Sequence, residues 1–281
     1  MKRTCLAVVA AACLIGATAA SVSASTPAPA PGKVSVHLLR PAKAPSGAPR
    51  TALPRPARAG NAAVTSGNWS GYAATACGSC HLRYVQAQFN MASVNCTATP
   101  DAFVSHWAGL DGLFTGTVEQ TGVLAYCSGG APGYLAWYEM YPDPPVYFTG
   151  DIAPGDAFAA AVYFNQGTGR WQLGLTDVTT GASLATAQAC PAGASCQDRS
   201  AEVITEAPSD ASGVLPLADF GVENYTGAAV TSYNGTRGTL ASQAGVWTQN
   251  SVTMAGASGV LAVPSGLQGG QAFSVAWHAA S

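Results

Sequence analysis

Lysine is missing from the chain after residue 43, and acidic residues are missing before residue 101. Residues 1–60 hold eight of the twelve lysines and arginines and no Asp or Glu, so the remainder carries four arginines against fourteen acids, a formal charge of −10. A domain with this charge repels phosphate. We therefore expect neither nucleic acid nor an anionic membrane among its partners.

Long apolar runs are also missing, apart from one near the N-terminus that extends from Cys5 to Ala20. That run is too short and too rich in alanine for a good membrane anchor. Lys2 and Arg3 precede it, and Val22-Ser23-Ala24 offers a cleavage site. This pattern predicts a signal peptide over residues 1–24 and a secreted, extracellular protein.

Residues 25–60 are rich in proline, alanine and serine, a composition that builds no packed core. Their positive charge beside an acidic domain favours a pro-segment that is held partly by charge and released as carboxylates become protonated. A flexible linker or spacer remains the alternative. Residues 61–281 are predicted to form one domain, which we expect to be a monomer.

Helical periodicity is nearly absent from this domain. Short runs of Val, Tyr, Phe, Thr and Trp alternate with Gly, Asn, Asp and Pro. Phe158 to Phe164 and Arg170 to Thr176, separated by a glycine-rich turn, are typical of a hairpin, and a second hairpin is predicted through Thr179-Thr180-Gly181. The pattern indicates an all-β fold, an antiparallel sandwich of two sheets of the concanavalin or jelly-roll kind.

The domain contains six cysteines, at positions 77, 80, 96, 127, 190 and 196. An even number in a secreted chain predicts three disulfides, although six cysteines allow fifteen pairings. We expect Cys190 to pair with Cys196, and Cys96 with Cys127 next. Cys77-Gly78-Ser79-Cys80-His81 matches the attachment motif of c-type haem, but its surroundings are strand-like. We therefore expect structural disulfides here and no cofactor.

The usual hydrolase signatures are absent. The chain has no G-x-S-x-G, no H-E-x-x-H, and no D-T-G or D-S-G sequence. The histidines of the domain, His81, His106 and His278, lie in no recognisable catalytic triad. Catalysis by carboxylates and amides is what remains.

Three predicted strands place polar residues on one face, since side chains alternate along a strand. The sets are Gln120 with Gly122, Glu139 with Trp137 and Tyr141, and Glu202 with Ile204 and Glu206. A carboxylate between large aromatic side chains is typical of a groove that binds a chain molecule. The alternative is a set of acids that face solvent on an outer sheet.

Six blocks that include these segments carry a family resemblance. They are Asn68-Trp69-Ser70-Gly71, Trp107-Ala108-Gly109-Leu110-Asp111-Gly112, Glu119-Gln120-Thr121-Gly122-Val123, Ala136-Trp137-Tyr138-Glu139-Met140-Tyr141-Pro142, Ala201-Glu202-Val203-Ile204-Thr205-Glu206 and Leu217-Ala218-Asp219-Phe220-Gly221. In this order the sequence resembles the eqolisins, a family of glutamic endopeptidases.

The resemblance implies a two-sheet sandwich with its site on the concave face of one sheet. It implies that Gln120 and Glu202 are the catalytic pair, and that Trp107, Asp111 and Glu139 surround them. Trp137 and Tyr141 are expected to support the substrate. The chain departs from the family pattern at Leu124, Val203 and Met140, where an acid and two tryptophans are common, and it lacks a cysteine before the glutamine.

The implied pair suits peptide hydrolysis. The Gln120 amide would donate a hydrogen bond to the oxygen of the attacked carbonyl. One such donor lowers the activation barrier by about 3–4 kcal/mol. Glu202 would accept a proton from the attacking water and return it to the leaving amine. Because a free glutamate titrates near pH ~4, we expect an acid-acting enzyme with a protein or peptide substrate.

A glycan-active sandwich is the main rival. A glycosidase would use Glu139 and Glu202 as acid and base, roughly 5–10 Å apart, and a lectin-like module would use the same groove for binding. A surface binding protein with a decayed site is a third interpretation. Gln120 and Glu202 on one face favour the peptidase, whereas placement on opposite sheets excludes it.

Overall fold

The structure, a computed structural model, describes residues 39–43 and 63–281, which form nineteen strands and contain no helix. It follows that the described residues include no helix long and apolar enough to cross a membrane. The predicted signal peptide lies outside the described residues, as does most of segment 25–60.

The strands are β1 Arg40–Pro41, β2 Ala63–Ser66, β3 Trp69–Ala76, β4 Leu82–Asn90, β5 Ala102–Leu110, β6 Val118–Ser128, β7 Ala131–Tyr141, β8 Val146–Thr149, β9 Ala157–Asn165, β10 Arg170–Asp177, β11 Ser183–Gln188, β12 Ser200–Glu206, β13 Ser209–Asp210, β14 Gly213–Val214, β15 Val222–Ser232, β16 Arg237–Gly238, β17 Trp247–Gly256, β18 Gly259–Pro264 and β19 Phe273–Trp277.

The strands form two layers. One layer has the order β1-β8-β7-β6-β5-β12-β3-β17, and β17 pairs further with β2 and with β18, which pairs with β19. Only the β17–β2 pair in this layer is parallel. The other has the order β11-β10-β9-β4-β15-β16 and is antiparallel throughout. The predicted all-β sandwich is confirmed.

Strand β15 joins the two layers, a feature that the sequence pattern does not predict. Its residues 222–225 pair with β19, which belongs to the first layer, and its later residues pair with β4 in the second. A register shift between Thr226 and Ala229 follows directly after β15 begins to pair with β4 at Thr226. Such an irregularity bends a strand and increases its twist, which allows one strand to serve both sheets.

Alternate residues of each layer point into the space between them and form the main core. Phe158, Val162, Leu173 and Leu175 of the second layer are fully buried there. A second apolar cluster lies on the other face of the first layer, around Trp69, Trp107 and Trp137. The first layer therefore packs apolar side chains on both faces, which explains why β5, β6 and β12 are buried along nearly their whole length.

The local predictions agree with the structure in most places. Both hairpins form, the first as β9–β10 and the second as β10–β11. Cys96–Cys127 and Cys190–Cys196 are disulfide-bonded, as predicted. The prediction of a third structural disulfide is wrong, since Cys77 and Cys80 are free. They occupy a tight turn after β3, where their sulfurs lie against different groups, the Thr248 hydroxyl and the Gly245 carbonyl.

The two disulfides are expected to contribute unequally to stability. Cys96–Cys127 closes a loop of 31 residues and Cys190–Cys196 one of 6, and loop-closure entropy grows with loop length. Replacing both cysteines of the longer loop by alanine should lower the free energy of unfolding by about 3–4 kcal/mol, against about 2 kcal/mol for the shorter one. Urea unfolding of both variants at one pH measures the difference, and equal losses would contradict the argument.

Candidate active site

A single row of cross-strand partners carries the predicted catalytic pair. Directly paired residues in neighbouring strands point to the same face of a sheet. Running across β7, β6, β5, β12, β3 and β17, the row consists of Glu139, Gln120, Gly109, Glu202, Ala73 and Asn250. Gln120 and Glu202 therefore share one face, the face of the tryptophan cluster, and both side chains are fully buried.

Gly109 lies between the two, on the middle strand. Gln120 and Glu202 are two strand spacings apart, roughly 9–10 Å between Cα atoms, and the glycine places no side chain between them. A Cβ added at Gly109 would lie 2.9 Å from the Gln120 Cβ, 3.1 Å from the Glu119 carbonyl oxygen and 3.1 Å from the Trp107 ring. The position between Gln120 and Glu202 therefore has room for a glycine only, and no side chain separates the two polar groups.

Gln120 is oriented by its neighbour in the row. Its Nε2 donates a hydrogen bond of 2.8 Å to Oε2 of Glu139, and both side chains are buried. A carboxylate accepts from the amide NH2 but cannot donate, so the contact fixes which end of the amide faces Glu139. Glu139 thus acts on the orientation of Gln120.

Glu202 is held by the turn that follows β5. Its Oε1 accepts a hydrogen bond of 3.3 Å from the Leu113 backbone N–H, and its Oε2 has no hydrogen-bond partner among the described residues. Burial raises the pKa of Glu202 well above its ordinary value, and the negative charge of Asp111 raises it further. The Ser200 hydroxyl and the Leu113 N–H offset this only in part. Burial therefore favours the protonated form of Glu202 over the carboxylate.

Asp111 anchors backbone instead of lining the sheet face. Its carboxylate accepts hydrogen bonds of 2.6, 2.7 and 2.7 Å from the N–H groups of Gln197, Asp198 and Arg199. Its own N–H donates to the Ser200 carbonyl, at the start of β12. Asp111 consequently connects the end of β5 to the segment that leads into the Glu202 strand.

The predicted aromatic residues lie on the same face with different surroundings. Trp107 is fully buried, donates 2.8 Å from Nε1 to Oε2 of Glu206, and packs edge-on against Trp69 at 4.8 Å between ring centroids. These contacts make Trp107 a packing residue. Trp137 is buried, and its Nε1 has no partner among the described residues. Tyr141 is half-buried at the end of β7.

Sequence analysis missed three features of the site. Gly109 appears in the quoted blocks, but only the register shows that it separates the pair. The bond between Trp107 and Glu206 joins residues 99 positions apart. Glu119 adjoins Gln120 in sequence, yet alternation turns it to the opposite face, into the space between the layers. The contrast of an acid with an amide at adjacent strand positions was the available signal for Glu119.

The comparisons with known proteins agree with this geometry. Residues 67–273 match the profile described as the Peptidase A4 family. Aspergillopepsin-2 from Aspergillus niger is 32% identical over 138 residues, and the match spans about half the length of each protein, 48% of this chain and 48% of the relative.

Solved structures share the fold. Scytalido-glutamic peptidase, crystallised with a transition state analog inhibitor, superposes with a TM-score of 0.63 at 24% identity, covering 75% of this chain and 98% of that one. Aspergilloglutamic peptidase from Aspergillus niger gives a TM-score of 0.53 at 27% identity, with 63% and 99% covered.

Proposed function

The chain belongs to the Peptidase A4, or eqolisin, family, and from that premise we propose that it is a secreted endopeptidase that cleaves peptide bonds at acid pH with Gln120 and Glu202. The observation that carries this proposal is the row in which the two side chains flank Gly109 on one sheet face. The proposed partner is a protein or peptide substrate, and the proposed working form is an extracellular monomer.

In the proposed mechanism a substrate carbonyl and a water lie between the Gln120 and Glu202 side chains. Gln120 presents its amide to the carbonyl oxygen, where negative charge develops as water attacks. Since an amide does not titrate, this donor works unchanged in acid. Glu202 takes the proton of the water as a carboxylate and returns it to the leaving amine. Glu139 keeps the Gln120 amide oriented.

The raised pKa of Glu202 gives a direction for the pH dependence. The base is the carboxylate, which forms only as pH rises through the pKa of Glu202. Burial and Asp111 hold that pKa above its ordinary value, which shifts the rise of activity to a higher pH than a free glutamate would give. The acid limb of the pH profile should therefore report Glu202.

The glycosidase alternative is less well supported. Glu139 and Glu202 are separated by two intervening strands, and the Gln120 side chain lies between them, with its amide bound to Glu139. Two carboxylates that act on one glycosidic bond need open space between them for the sugar and a water. An amide in that space has an evident role in a peptidase and none in a glycosidase.

We propose further that residues 25–60 are a pro-segment. Supporting this, the described part of that segment adds a strand to the site-bearing layer, because β1 pairs with the edge strand β8. Leu39 is buried, and the Ala42 N–H donates 2.9 Å to the carbonyl of Tyr147. Tyr147 belongs to the apolar cluster on the site face. A segment bound here lies beside the catalytic face.

Kinetics of two variants test the catalytic pair. Gln120→Ala should lower kcat about 10²–10³-fold through loss of the oxyanion donor, and Glu202→Gln should lower it about 10²–10⁴-fold through loss of the base. The measurement is digestion of a denatured protein at about pH 4, with pepstatin present to exclude aspartic peptidases. Each variant should retain the wild-type circular dichroism spectrum. Cleavage by Glu202→Gln at more than a tenth of the wild-type rate would contradict the assignment.

A methyl group at Gly109 should disable the site without unfolding the protein. Gly109→Ala places its Cβ 2.9 Å from the Gln120 Cβ, which displaces the amide, and a misplacement on the order of 1 Å costs about 10²-fold in rate. Gly174→Ala is the matched control, since a Cβ there meets nothing within 4 Å. The control should retain wild-type kcat. Full activity in Gly109→Ala would contradict the requirement for a residue without a side chain between Gln120 and Glu202.

The pro-segment proposal predicts that its anchor controls release. Leu39→Ser removes a buried side chain and should weaken docking by about 2 kcal/mol, so the segment should be released at a higher pH. Pro41→Ser, at an exposed position of the same strand, is the control and should behave as wild type. The full chain is titrated from pH 7 downward, and mass spectrometry detects the segment once it has undocked and the enzyme has hydrolysed the peptide bond that joins it to the domain. The same release pH in all three proteins would contradict the role of Leu39.

A further inference from the structure

Glu119 belongs to a buried acidic cluster behind the proposed site. Oxygens of Asp111, Glu119 and Asp198, one from each carboxyl group, all lie within 4.8 Å of one another. All three residues are buried, and Glu119 has no exposed surface. Its cross-strand partners are Leu110 and Met140, which are apolar. Three negative charges in such a place would repel one another strongly.

The hydrogen-bond donors around the cluster are unevenly distributed. Asp111 accepts from three backbone N–H groups, and Asp198 accepts from Trp171 Nε1 at 2.9 Å and from the Tyr233 hydroxyl. These donors favour the ionised form of each group, against burial, which raises the pKa of Asp111 and raises that of Asp198 to about 6. Among the described residues, neither oxygen of Glu119 makes a hydrogen bond of ordinary geometry, and the Thr117 hydroxyl is the one donor that stabilises its ionised form.

A buried carboxyl group with so few hydrogen-bond donors around it favours the protonated form, in which its own O–H group is a donor. Burial raises the pKa of Asp111, and its three backbone donors and a hydrogen bond with Glu119 offset this only in part. Burial and the charges of Asp111, Asp198 and Glu202 raise the pKa of Glu119 well above its ordinary value. The Thr117 hydroxyl lowers the pKa of Glu119 to a smaller degree.

The cluster is connected to the catalytic glutamate by a short stretch of backbone. Asp111 begins the turn that presents the Leu113 N–H to Glu202. Asp111, Gly112 and Phe114 in this turn have φ values of 63°, 115° and 76°, a conformation that persists only where surrounding contacts enforce it. The Asp111 carboxylate supplies three such contacts, to the segment just before β12.

We propose that Glu119 is a positioning residue: as a neutral acid sharing its proton with Asp111 it keeps the 111–114 turn against Glu202, and its ionisation sets the upper pH limit of activity. This proposal deepens the proposed function and rests on it. It requires no new group in the cleft.

The charged and titratable groups that face Glu119 are few. From the turn after β5 it meets Asp111, from the segment before β12 Asp198, and from β12 itself Glu202. Tyr233 follows β15. Burial raises its pKa, and the negative charges of Asp198, Asp111 and Glu119 raise it further. His81 faces Asp198 and lowers its pKa.

The sign of the pH effect follows from the raised pKa of Glu119. Below the ordinary pKa of glutamate, about 4.3, the group is protonated in both folded and unfolded chains and costs nothing. Between that value and the raised pKa the folded chain retains one proton that the unfolded chain has released, so stability falls as pH rises. For this one group the unfolding equilibrium constant should grow about tenfold per pH unit.

The test replaces Glu119 by glutamine, which keeps a donor for Asp111 and cannot ionise. The full chain of wild type and Glu119→Gln is unfolded in urea at several pH values between 4 and 7.5. In the variant, the unfolding equilibrium constant should increase less steeply with pH than in wild type, by a factor of about ten per pH unit. In infrared spectra at neutral pH, the difference between wild type and Glu119→Gln should contain the C=O stretch of one buried protonated carboxylic acid.

The pH profile of kcat/KM distinguishes a positioning role of Glu119 from a general effect on stability. In the acid-processed enzyme, Glu119→Gln should leave the acid limb of kcat/KM unchanged and move the alkaline limb to higher pH. Glu223→Gln is the control, because Glu223 is another buried glutamate whose pKa burial raises, to about 7, and it contacts the Asn90 N–H instead of the cluster. The control should flatten the stability slope without moving the alkaline limb.

Three results would overturn the proposal. One is an unchanged infrared band in Glu119→Gln, and another is an alkaline limb that moves equally in both variants. The third is loss of wild-type stability at neutral pH on adding EDTA, absent in Glu119→Gln, which would assign a cation to the cluster instead of a proton. The urea and infrared measurements do not depend on peptidase activity, so failure of the proposed function is distinguishable from failure of this inference.

Discussion

The register of β6, β5 and β12 is the constraint on which the site depends. Because side chains alternate along a strand, a slip of one residue in either pairing would turn Gln120 or Glu202 to the opposite face. Both pairings are long and uninterrupted, with nine partner pairs between β5 and β6 and six between β5 and β12. The apolar clusters on the two faces of this layer lock the register, since a slip would exchange their buried side chains.

The same alternation produces two different environments from adjacent residues. Gln120 faces the cleft, where a neutral amide can serve as a donor at any pH. Glu119 faces the space between the layers, where neither of its carboxylate oxygens has a hydrogen-bond partner among the described residues. On this account the face that contains Gln120 and Glu202 carries the chemistry, and the opposite face supports the turn that holds Glu202. The two roles meet at Asp111, which accepts from the backbone before β12 and neighbours Glu119.

The fold class, both hairpins and the Cys190–Cys196 disulfide could be predicted because each depends on local signals, such as turn residues or a short cysteine spacing. Cys96–Cys127, 31 residues apart, was predicted without such a signal. Sequence reasoning placed Gln120, Glu139 and Glu202 on strand faces by alternation alone. Non-local facts were beyond its reach. Nothing in the sequence near Gly109 shows that this residue stands between the pair, and nothing near β15 shows that one strand serves two sheets. Cys77 and Cys80 were misjudged because an even cysteine count says nothing about sulfur positions within a turn.

The most direct test of the account is a crystal structure of the acid-processed enzyme with a peptide-like inhibitor that mimics the tetrahedral intermediate. The account predicts one inhibitor oxygen at about 2.7–3.1 Å from Nε2 of Gln120, the other within hydrogen-bonding distance of the Glu202 carboxyl group, and the tetrahedral carbon above Gly109. An inhibitor bound on this face whose oxygens contact Glu139 or Glu206 instead, with Gln120 or Glu202 turned away, would contradict it.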